Sequence, residues 1–222
     1  MKIRFLGQSG YIVKTAKTEI MIDPYLSDSV NRLMGRPRLL PVPADPAAVH
    51  CDAVICTHNH ADHLDPDTVS KMPDGQFFIT TGEGRDVLLG MGKKKVAALA
   101  PGESLTVGDM TVKAVFADHT VEAIGVIVRG EGRTLYFSGD TLYNEKLFAI
   151  ADEKPDVTLI CINGRLGNMN TEEALEVARR IGAKVNIPTH YDMFASNSAD
   201  PALFADNIPG GRILPFNEEC EI

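Results

Sequence analysis

Histidine is concentrated at one point of the chain, directly after a short apolar run. The segment CTHNHADHLDP, residues 56–66, holds three of the six histidines with an aspartate between them: His58, His60, Asp62 and His63. Histidines at positions i, i+2 and i+5 do not suit a helix, on which a metal-binding pair is spaced i and i+4. The spacing indicates a loop at the end of a strand, which can turn imidazole nitrogens and a carboxylate into one cavity. These groups are ligands for Zn, Mn or Fe.

Three later apolar runs end in the same kind of residue. VKAVFADH ends at His119, TLYFSGD at Asp140 and VNIPTH at His190. Taken singly, each residue fits a structural role, since Asp140 could cap a helix and the two histidines could be hydrogen-bonded in the core. Together with the first segment they divide into two groups of three ligands and a bridging carboxylate: His58, His60 and His119; Asp62, His63 and His190; and Asp140. This division predicts two divalent metal ions a few ångströms apart.

The remaining sequence alternates short β-branched runs with turn residues. KIRFLG, GYIVKT, TEIMID, DAVICTH and GQFFIT are predicted strands, and DVTLICIN and AKVNIPTH are predicted to follow late in the chain. Hairpins are expected at Gly108-Asp109 and around Gly130–Gly132. Two sheets packed face to face with helices outside would satisfy this order. The sequence therefore predicts an α+β fold with residues 1–222 as a single domain.

One helix is clearly signalled, in TEEALEVARRIG. Thr171 is predicted to cap its start and Gly182 to end it. Its apolar stripe is predicted to pack on the core and consists of Ala174, Val177, Ala178 and Ile181. Shorter helices are expected in GRDVLLGMG, NEKLFAIAD and DPALFADN. The segment Pro24–Ala48 lacks periodicity and is predicted to be a long ordered loop with room for one short helix.

Charge and composition argue against several classes of partner. The formal net charge is -8, and the densest basic run, Lys93–Lys95, is short and is interpreted as a solvated turn, so nucleic acid is not an expected partner. No apolar segment approaches the roughly 18 residues of a membrane span. The four cysteines lack a C-x-x-C pair, and the N-terminus opens directly as a strand. We therefore expect reduced thiols in a cytoplasmic protein.

The motif His58-x-His60-x-Asp62-His63, followed by His119, Asp140 and His190, resembles that of the metallo-β-lactamase superfamily. The resemblance covers almost the whole chain and implies a four-layer αββα sandwich with the metals at one edge. It also implies that Asp23, in the segment MIDP, supports the metal ligands from behind. Asp140 stands where antibiotic-hydrolysing members place a cysteine, which argues against β-lactamase activity.

Five segments resemble, more narrowly, the branch that contains L-ascorbate-6-phosphate lactonase. They are IDPYLSDSV, CTHNHADHLDPDTV, YFSGDTLYNE, CINGRLGNMN and IPTHYDMF. This resemblance implies a metal-dependent hydrolase of a small anionic substrate, such as a sugar-phosphate lactone, and favours Mn²⁺ although the ligands also suit Zn²⁺. Asp62 is expected to act in catalysis, accepting the proton of the nucleophile and delivering it to the leaving oxygen.

Polar side chains near these strand ends are candidates for binding the substrate. They are Asn163, Arg165, Asn168 and Tyr191. Arg165 fits a bidentate contact with a phosphate or carboxylate, and equally a structural salt bridge. Arg36 and Arg38 fit a solvated basic loop better than a lid over the site.

Other functions share the same ligands. A phosphodiesterase would use the same metal chemistry, although the acidic balance disfavours RNA. A di-iron redox protein would use the same fold, but that class usually carries an appended flavin-binding domain. A non-catalytic metal module is disfavoured because structural zinc sites are closed by protein ligands. Among these functions, a hydrolase remains the leading one, so a small-molecule substrate is the expected partner. The sequence is also compatible with a homo-oligomer.

Overall fold

Two β-sheets lie face to face in a computed structural model that describes residues 1–222. One sheet contains β1 (Lys2–Gly7), β2 (Gly10–Lys14), β3 (Glu19–Ile22), β4 (Ala53–Ile55), β5 (Phe77–Thr80), β6 (Lys95–Ala98) and β13 (Glu219–Glu221). The other contains β7 (Ser104–Val107), β8 (Met110–Phe116), β9 (Ile124–Gly130), β10 (Arg133–Phe137), β11 (Val157–Cys161) and β12 (Val185–Thr189). Their spatial orders are β13-β1-β2-β3-β4-β5-β6 and β12-β11-β10-β9-β8-β7.

Helices pack on the outer faces of the two sheets. They are α1 (Ser29–Met34), α2 (Pro66–Lys71), α3 (Gly82–Gly90), α4 (Thr171–Ile181) and α5 (Ala202–Ala205), with 3-10 helices at Pro46–Ala48 and Glu145–Glu153. α2 and α3 pack on the seven-stranded sheet, and α4 and α5 contact β11 and β12 of the other. α1 packs elsewhere, through Val30, in a small cluster with Tyr25, Met193 and Phe194. The predicted sandwich with helices outside is confirmed. None of the helices has the length and apolar character needed to cross a membrane.

The central strands are apolar on both faces because both faces are covered. Ile20 and Ile22 of β3 join a cluster of 40 buried residues that draws on both sheets. Met21, between them, joins a second cluster of 12 buried residues, which includes Val69 of α2 and Leu88 of α3. The seven-stranded sheet is thus held by the opposite sheet on one side and by helices on the other.

The arrangement of the strands brings several strand ends to one edge of the sandwich. β3, β4 and β5 are mutually parallel, as are β10, β11 and β12. β8 and β10 both pair antiparallel with β9, so these two strands also run in one direction. The carboxyl ends of β3, β4, β8, β10 and β12 are each followed by a predicted site residue, and this edge is where those residues collect.

Several predicted elements are confirmed and some details are wrong. The two hairpins turn where expected, and the segment Pro24–Ala48 carries α1. Lys93–Lys95 is not a solvated turn: Lys93 is buried and donates to the carbonyl of Met72 at 2.9 Å, and Lys95 begins β6. The short elements α2, β6 and β13 carry too few residues for a periodic signal and were not expected from the sequence.

The apolar stripe of α4 is buried as predicted, but its cap is Asn170 rather than Thr171. The Asn170 side chain accepts from the Glu173 amide at 3.0 Å, and the Glu173 carboxylate accepts from the Asn170 amide at 2.9 Å. This capping box satisfies two backbone donors that the first turn of a helix leaves free.

We expect Asn170→Ala to lower the free energy of unfolding by about 1 kcal/mol, because a helix N-cap contributes that much. Thr171→Ala is the matched control, since its hydroxyl makes no hydrogen bond, and it should leave stability nearly unchanged. Urea denaturation of both variants measures the difference. A larger loss for Thr171→Ala than for Asn170→Ala would contradict the assigned cap.

Candidate metal centre

Three histidines bring their ring nitrogens together at the edge of the sandwich. His58 Nε2 lies 3.0 Å from His60 Nδ1, and His60 Nδ1 lies 3.2 Å from His119 Nε2. Two nitrogens bound to one tetrahedral zinc at about 2.0–2.1 Å would stand about 3.3 Å apart. The spacing of these nitrogens therefore fits a shared cation.

A second group lies beside the first and contains a carboxylate. Asp62 Oδ2 is 3.7 Å from His63 Nε2 and 3.6 Å from His190 Nε2. The ligand atoms of these three residues all lie within 4.8 Å of one another. The loop after β4 supplies two members, and the end of β12 supplies His190.

Asp140, after β10, stands between the two groups. Its Oδ1 is 3.3 Å from His63 Nε2, and its Oδ2 is 3.2 Å from His190 Nε2 and 4.0 Å from His119 Nε2. His63 Nε2 and Asp140 Oδ1 are both buried, and neither has a hydrogen-bond partner. Buried polar atoms are nearly always satisfied. A buried imidazole nitrogen and a buried carboxylate oxygen without hydrogen bonds are expected where both atoms bind a cation.

Asp23 orients ligands of both groups from behind. Its carboxylate accepts from the Thr57 amide and hydroxyl, both at 2.7 Å, and from His63 Nδ1 at 2.8 Å. The Thr57 hydroxyl in turn lies 3.1 Å from His58 Nδ1. With the Nδ1 protons held this way, Nε2 of both histidines is free to bind a metal, which is the usual role of a carboxylate behind a ligating histidine.

A glycine holds the third histidine of the first group. His119 Nδ1 lies 2.9 Å from the carbonyl of Gly167, which leaves Nε2 facing the other nitrogens. Gly167 has φ 92°, and a Cβ there would approach His119 Nδ1 to 2.8 Å. Both the backbone conformation and the close approach require glycine at this position.

Gln8 is a site residue that the sequence did not reveal. It is fully buried in the turn between β1 and β2, and its amide nitrogen donates to Asp62 Oδ2 at 2.7 Å and lies 3.0 Å from His190 Nε2. The backbone carbonyl of Gln8 accepts from the backbone amide of His190 at 2.8 Å. The only sequence signal is a polar residue enclosed by Gly7 and Gly10 after an apolar strand.

The two histidine groups differ in proton affinity. Burial, aided by the charge of His63, holds the pKa of His58 well below its usual value, and burial with the neighbouring His119 lowers the pKa of His60. Burial would also lower the pKa values of His63 and His190, but nearby carboxylates outweigh it. The pKa of His63 is raised well above its usual value, and that of His190 is raised to about 9.

The pKa values of the two carboxyl groups, Asp62 and Asp140, are lowered rather than raised. Burial would raise the pKa values of Asp62 and Asp140, but the charges of His63 and His190 outweigh it and hold both carboxyls below their usual range. Both carboxylates are therefore ionised at neutral pH and available as ligands.

A cavity of about 440 Å³ opens above these side chains. His60, Asp62, Asp140 and His190 form part of its lining. A larger cavity, of about 850 Å³, lies near α2 and contains none of the predicted ligands. Of these two cavities, only the smaller would therefore place a bound small molecule next to the candidate metal centre.

The predicted substrate residues lie in different surroundings. Asn163 and Asn168 are buried and joined by a hydrogen bond of 2.9 Å, and neither lines the cavity. Arg165 is exposed and donates to the carbonyl of Ser196. Tyr191 is buried with its ring 5.4 Å from that of Phe5. The structure brings none of these four side chains into the cavity lining.

Comparison with known proteins agrees with this geometry. The sequence profile of a family described as "Beta-lactamase superfamily domain" matches residues 18–191. The chain belongs to the metallo-β-lactamase superfamily. The match spans β3 to β12 and includes every predicted metal ligand, and the expected αββα fold of this superfamily is confirmed. The narrower resemblance to the lactonase branch stays a prediction.

Relatives within the superfamily match the chain over its whole length. A "UPF0173 metal-dependent hydrolase" of Oenococcus oeni is 30% identical over 240 residues, covering 100% of both chains. The structure of Igni18, a metallo hydrolase from Ignicoccus hospitalis, matches with a TM-score of 0.80 at 22% identity and covers 100% of this chain and 98% of that one. An isothiocyanate hydrolase from Delia radicum gut bacteria matches with a TM-score of 0.82 at 18% identity, covering 100% and 99%. The two structures share the fold.

We expect Asp23→Asn to weaken zinc binding by about 10- to 100-fold, the usual effect of losing a carboxylate behind a ligating histidine. An amide in this place cannot accept all three hydrogen bonds and fix the rings of His63 and His58. Zinc affinity is measured by competition with a chromophoric chelator. Asp74→Asn, on an exposed residue, is the control. Equal affinities for the two variants would contradict the role of Asp23.

Metal binding should release protons, and its pH dependence follows from the raised pKa values. A histidine with a raised pKa is protonated below that pKa, so an ion at His63 and His190 must displace protons and binds more weakly as pH falls below about 9. The His58 and His60 rings are already neutral. Calorimetric zinc titrations of chelator-stripped protein, in buffers of different ionisation enthalpy between about pH 6 and 8, count the protons. Binding without proton release at neutral pH would contradict this account.

Proposed function

We propose that the chain is a metal-dependent hydrolase that uses two divalent ions, Mn²⁺ or Zn²⁺, on a small anionic ester or lactone. The observation that carries this proposal is the pair of ligand groups with buried, unpartnered ligand atoms beside an open cavity. The name of the Oenococcus oeni relative supports the same reaction class. A structural metal site would lie closed within the protein, whereas this one borders a cavity large enough for a small molecule.

The two ligand groups would each hold one ion. His58, His60 and His119 suit the first, and Asp62, His63 and His190 suit the second, with Asp140 placed between them. A pair of divalent ions lowers the pKa of bound water and polarises the carbonyl or phosphoryl group under attack. The arrangement of Asp23, Thr57 and the Gly167 carbonyl keeps the histidine rings aligned for this task.

Asp62 is the residue best placed to move a proton. Its side chain is 18% exposed and lines the cavity, and its protein contacts all involve Oδ2. Gln8 holds that oxygen, so the other oxygen remains available to a group in the cavity. Because the carboxyl is ionised at neutral pH, Asp62 can accept a proton from the attacking nucleophile and return it to the leaving oxygen.

Hydrolysis of a phosphodiester is the second candidate, because the same ions and carboxylate serve both reactions. Protein reloaded with Mn²⁺ or Zn²⁺ is assayed on a panel of lactones and aryl esters and on bis(p-nitrophenyl) phosphate, with metal content measured on the same samples. We expect about two ions per chain and turnover of lactones or esters. Turnover of the phosphodiester alone would favour the second candidate, and one tightly held zinc without any turnover would overturn both.

Asp62→Asn tests the proton transfer in the same assay. We expect turnover to fall by about 10²- to 10⁴-fold, the usual contribution of general acid–base catalysis. Since Asp62 also belongs to a ligand group, the result is interpreted at matched metal content, reached with excess metal. Near-full activity with the ions retained would remove this role from Asp62.

A further inference from the structure

The cavity above the metal ligands has largely apolar walls. The apolar side chains of its lining are Val30, Met34, Ala61, Leu166 and Phe194. Met34 at the end of α1 and Leu166 after β11 are 59% and 58% exposed. Large apolar side chains exposed to solvent beside a cavity are characteristic of a surface that a bound ligand covers.

One cation lies among these apolar groups. Arg36 lines the cavity and is half-buried, and its guanidinium forms no salt bridge and no hydrogen bond with the protein. Arg38, two residues away, is different: it donates to the carbonyls of Tyr25, Ser27, Leu40 and Pro41 and holds the loop in place. Of the two arginines, only Arg36 has its donors free for a ligand.

The other charges around the cavity do not neutralise Arg36. Asp62 and Asp140 are the acidic residues of the lining, and both are engaged with the histidines of the metal centre. No lysine lines the cavity. A free guanidinium in partly apolar surroundings binds a carboxylate, sulfonate or phosphate through two parallel, charge-assisted N–H···O hydrogen bonds.

The cavity is poorly suited to a hydrated sugar. Besides the candidate metal ligands, Thr120 and Asn197 are the uncharged polar side chains of its lining. Several sugar hydroxyls would each need a partner in the cavity, and a buried hydroxyl without one costs free energy. An apolar substrate body avoids this cost.

We propose that this cavity binds an amphiphilic monoanion, whose apolar body packs between Met34 and Leu166 and whose anionic group pairs with Arg36. This inference rests on the proposed function and deepens it. The substrate is then an ester or lactone with an apolar body. The bond to be cleaved lies over the metal ligands, and the anionic group is at the other end of the substrate molecule.

The test is a binding measurement on metal-loaded protein with three small probes. 1-Octanesulfonate has an apolar chain and an anion that is a poor metal ligand, ethanesulfonate has the anion alone, and octanamide has the chain without the charge. Calorimetry or ligand-observed NMR measures each Kd. We expect octanesulfonate to bind at least about tenfold more tightly than either of the others, since burial of its chain and the ion pair both contribute.

Two variants with matched controls assign the binding to the cavity. Arg36→Gln should weaken octanesulfonate at least about fivefold and leave octanamide unchanged, since only the ion pair is lost. Arg4→Gln, on a half-buried arginine of β1 outside the cavity, is its control. Leu166→Ser should weaken both long-chain probes, with Leu203→Ser as its control, because Leu203 is 57% exposed on α5. Thermal unfolding verifies that all four variants are folded.

The outcomes separate this inference from the proposed function. If ethanesulfonate binds as tightly as octanesulfonate, or Arg36→Gln leaves octanesulfonate binding unchanged, the assigned ligand class is wrong, even if hydrolysis of small esters is observed. If the probes bind as expected but no ester, lactone or phosphodiester is hydrolysed, the ligand class stands and the proposed function fails. Faster hydrolysis of mono-p-nitrophenyl suberate than of p-nitrophenyl acetate, with the advantage lost in Arg36→Gln, would support both.

Discussion

Three carboxylates lie among five clustered histidines, and the neutralisation of the carboxylate charge governs how this edge of the sandwich is built. Asp23, Asp62 and Asp140 are each in contact with His63. Unpaired buried charge is costly. Asp23 accepts three hydrogen bonds from the protein, and Asp62 accepts one, from Gln8. Apart from that bond, Asp62 and Asp140 depend on histidine protons or on cations. The same constraint gives one carboxylate a supporting role and leaves the other two available as ligands.

That the candidate ligand side chains lie together could be predicted from the sequence, because each follows an apolar strand. Strands of one direction end at one edge, so His119, Asp140 and His190 lie beside the first histidine segment even though they are distant in sequence. Gln8 offered no comparable signal: its role arises from a turn with φ 57° that places the amide against Asp62. Two polar residues, Gln8 and Ser9, between two glycines have many structural interpretations.

Other details depended on tertiary contacts that no local pattern encodes. Asn170 and Thr171 are adjacent residues of the type that caps helices, and the entry angle of the chain decides between them. The difference between Arg36 and Arg38 is similar, because only the folded loop shows which guanidinium meets backbone carbonyls and which meets the cavity. The sandwich followed from strand periodicity, while the shape of the cavity followed from the loop that carries α1.

The candidate ligands are drawn from both sheets of the sandwich. His58, His60, Asp62 and His63 follow β4 of the seven-stranded sheet, and His119, Asp140 and His190 follow three strands of the other. A cation bound by both sets would therefore cross-link the two sheets, and its binding would be coupled to folding. During synthesis, the first candidate group is complete once the chain has emerged past β8 and His119, whereas the second waits for His190, which follows the last strand of the second sheet. A chain that holds ions in both groups would be one whose two sheets have already packed together.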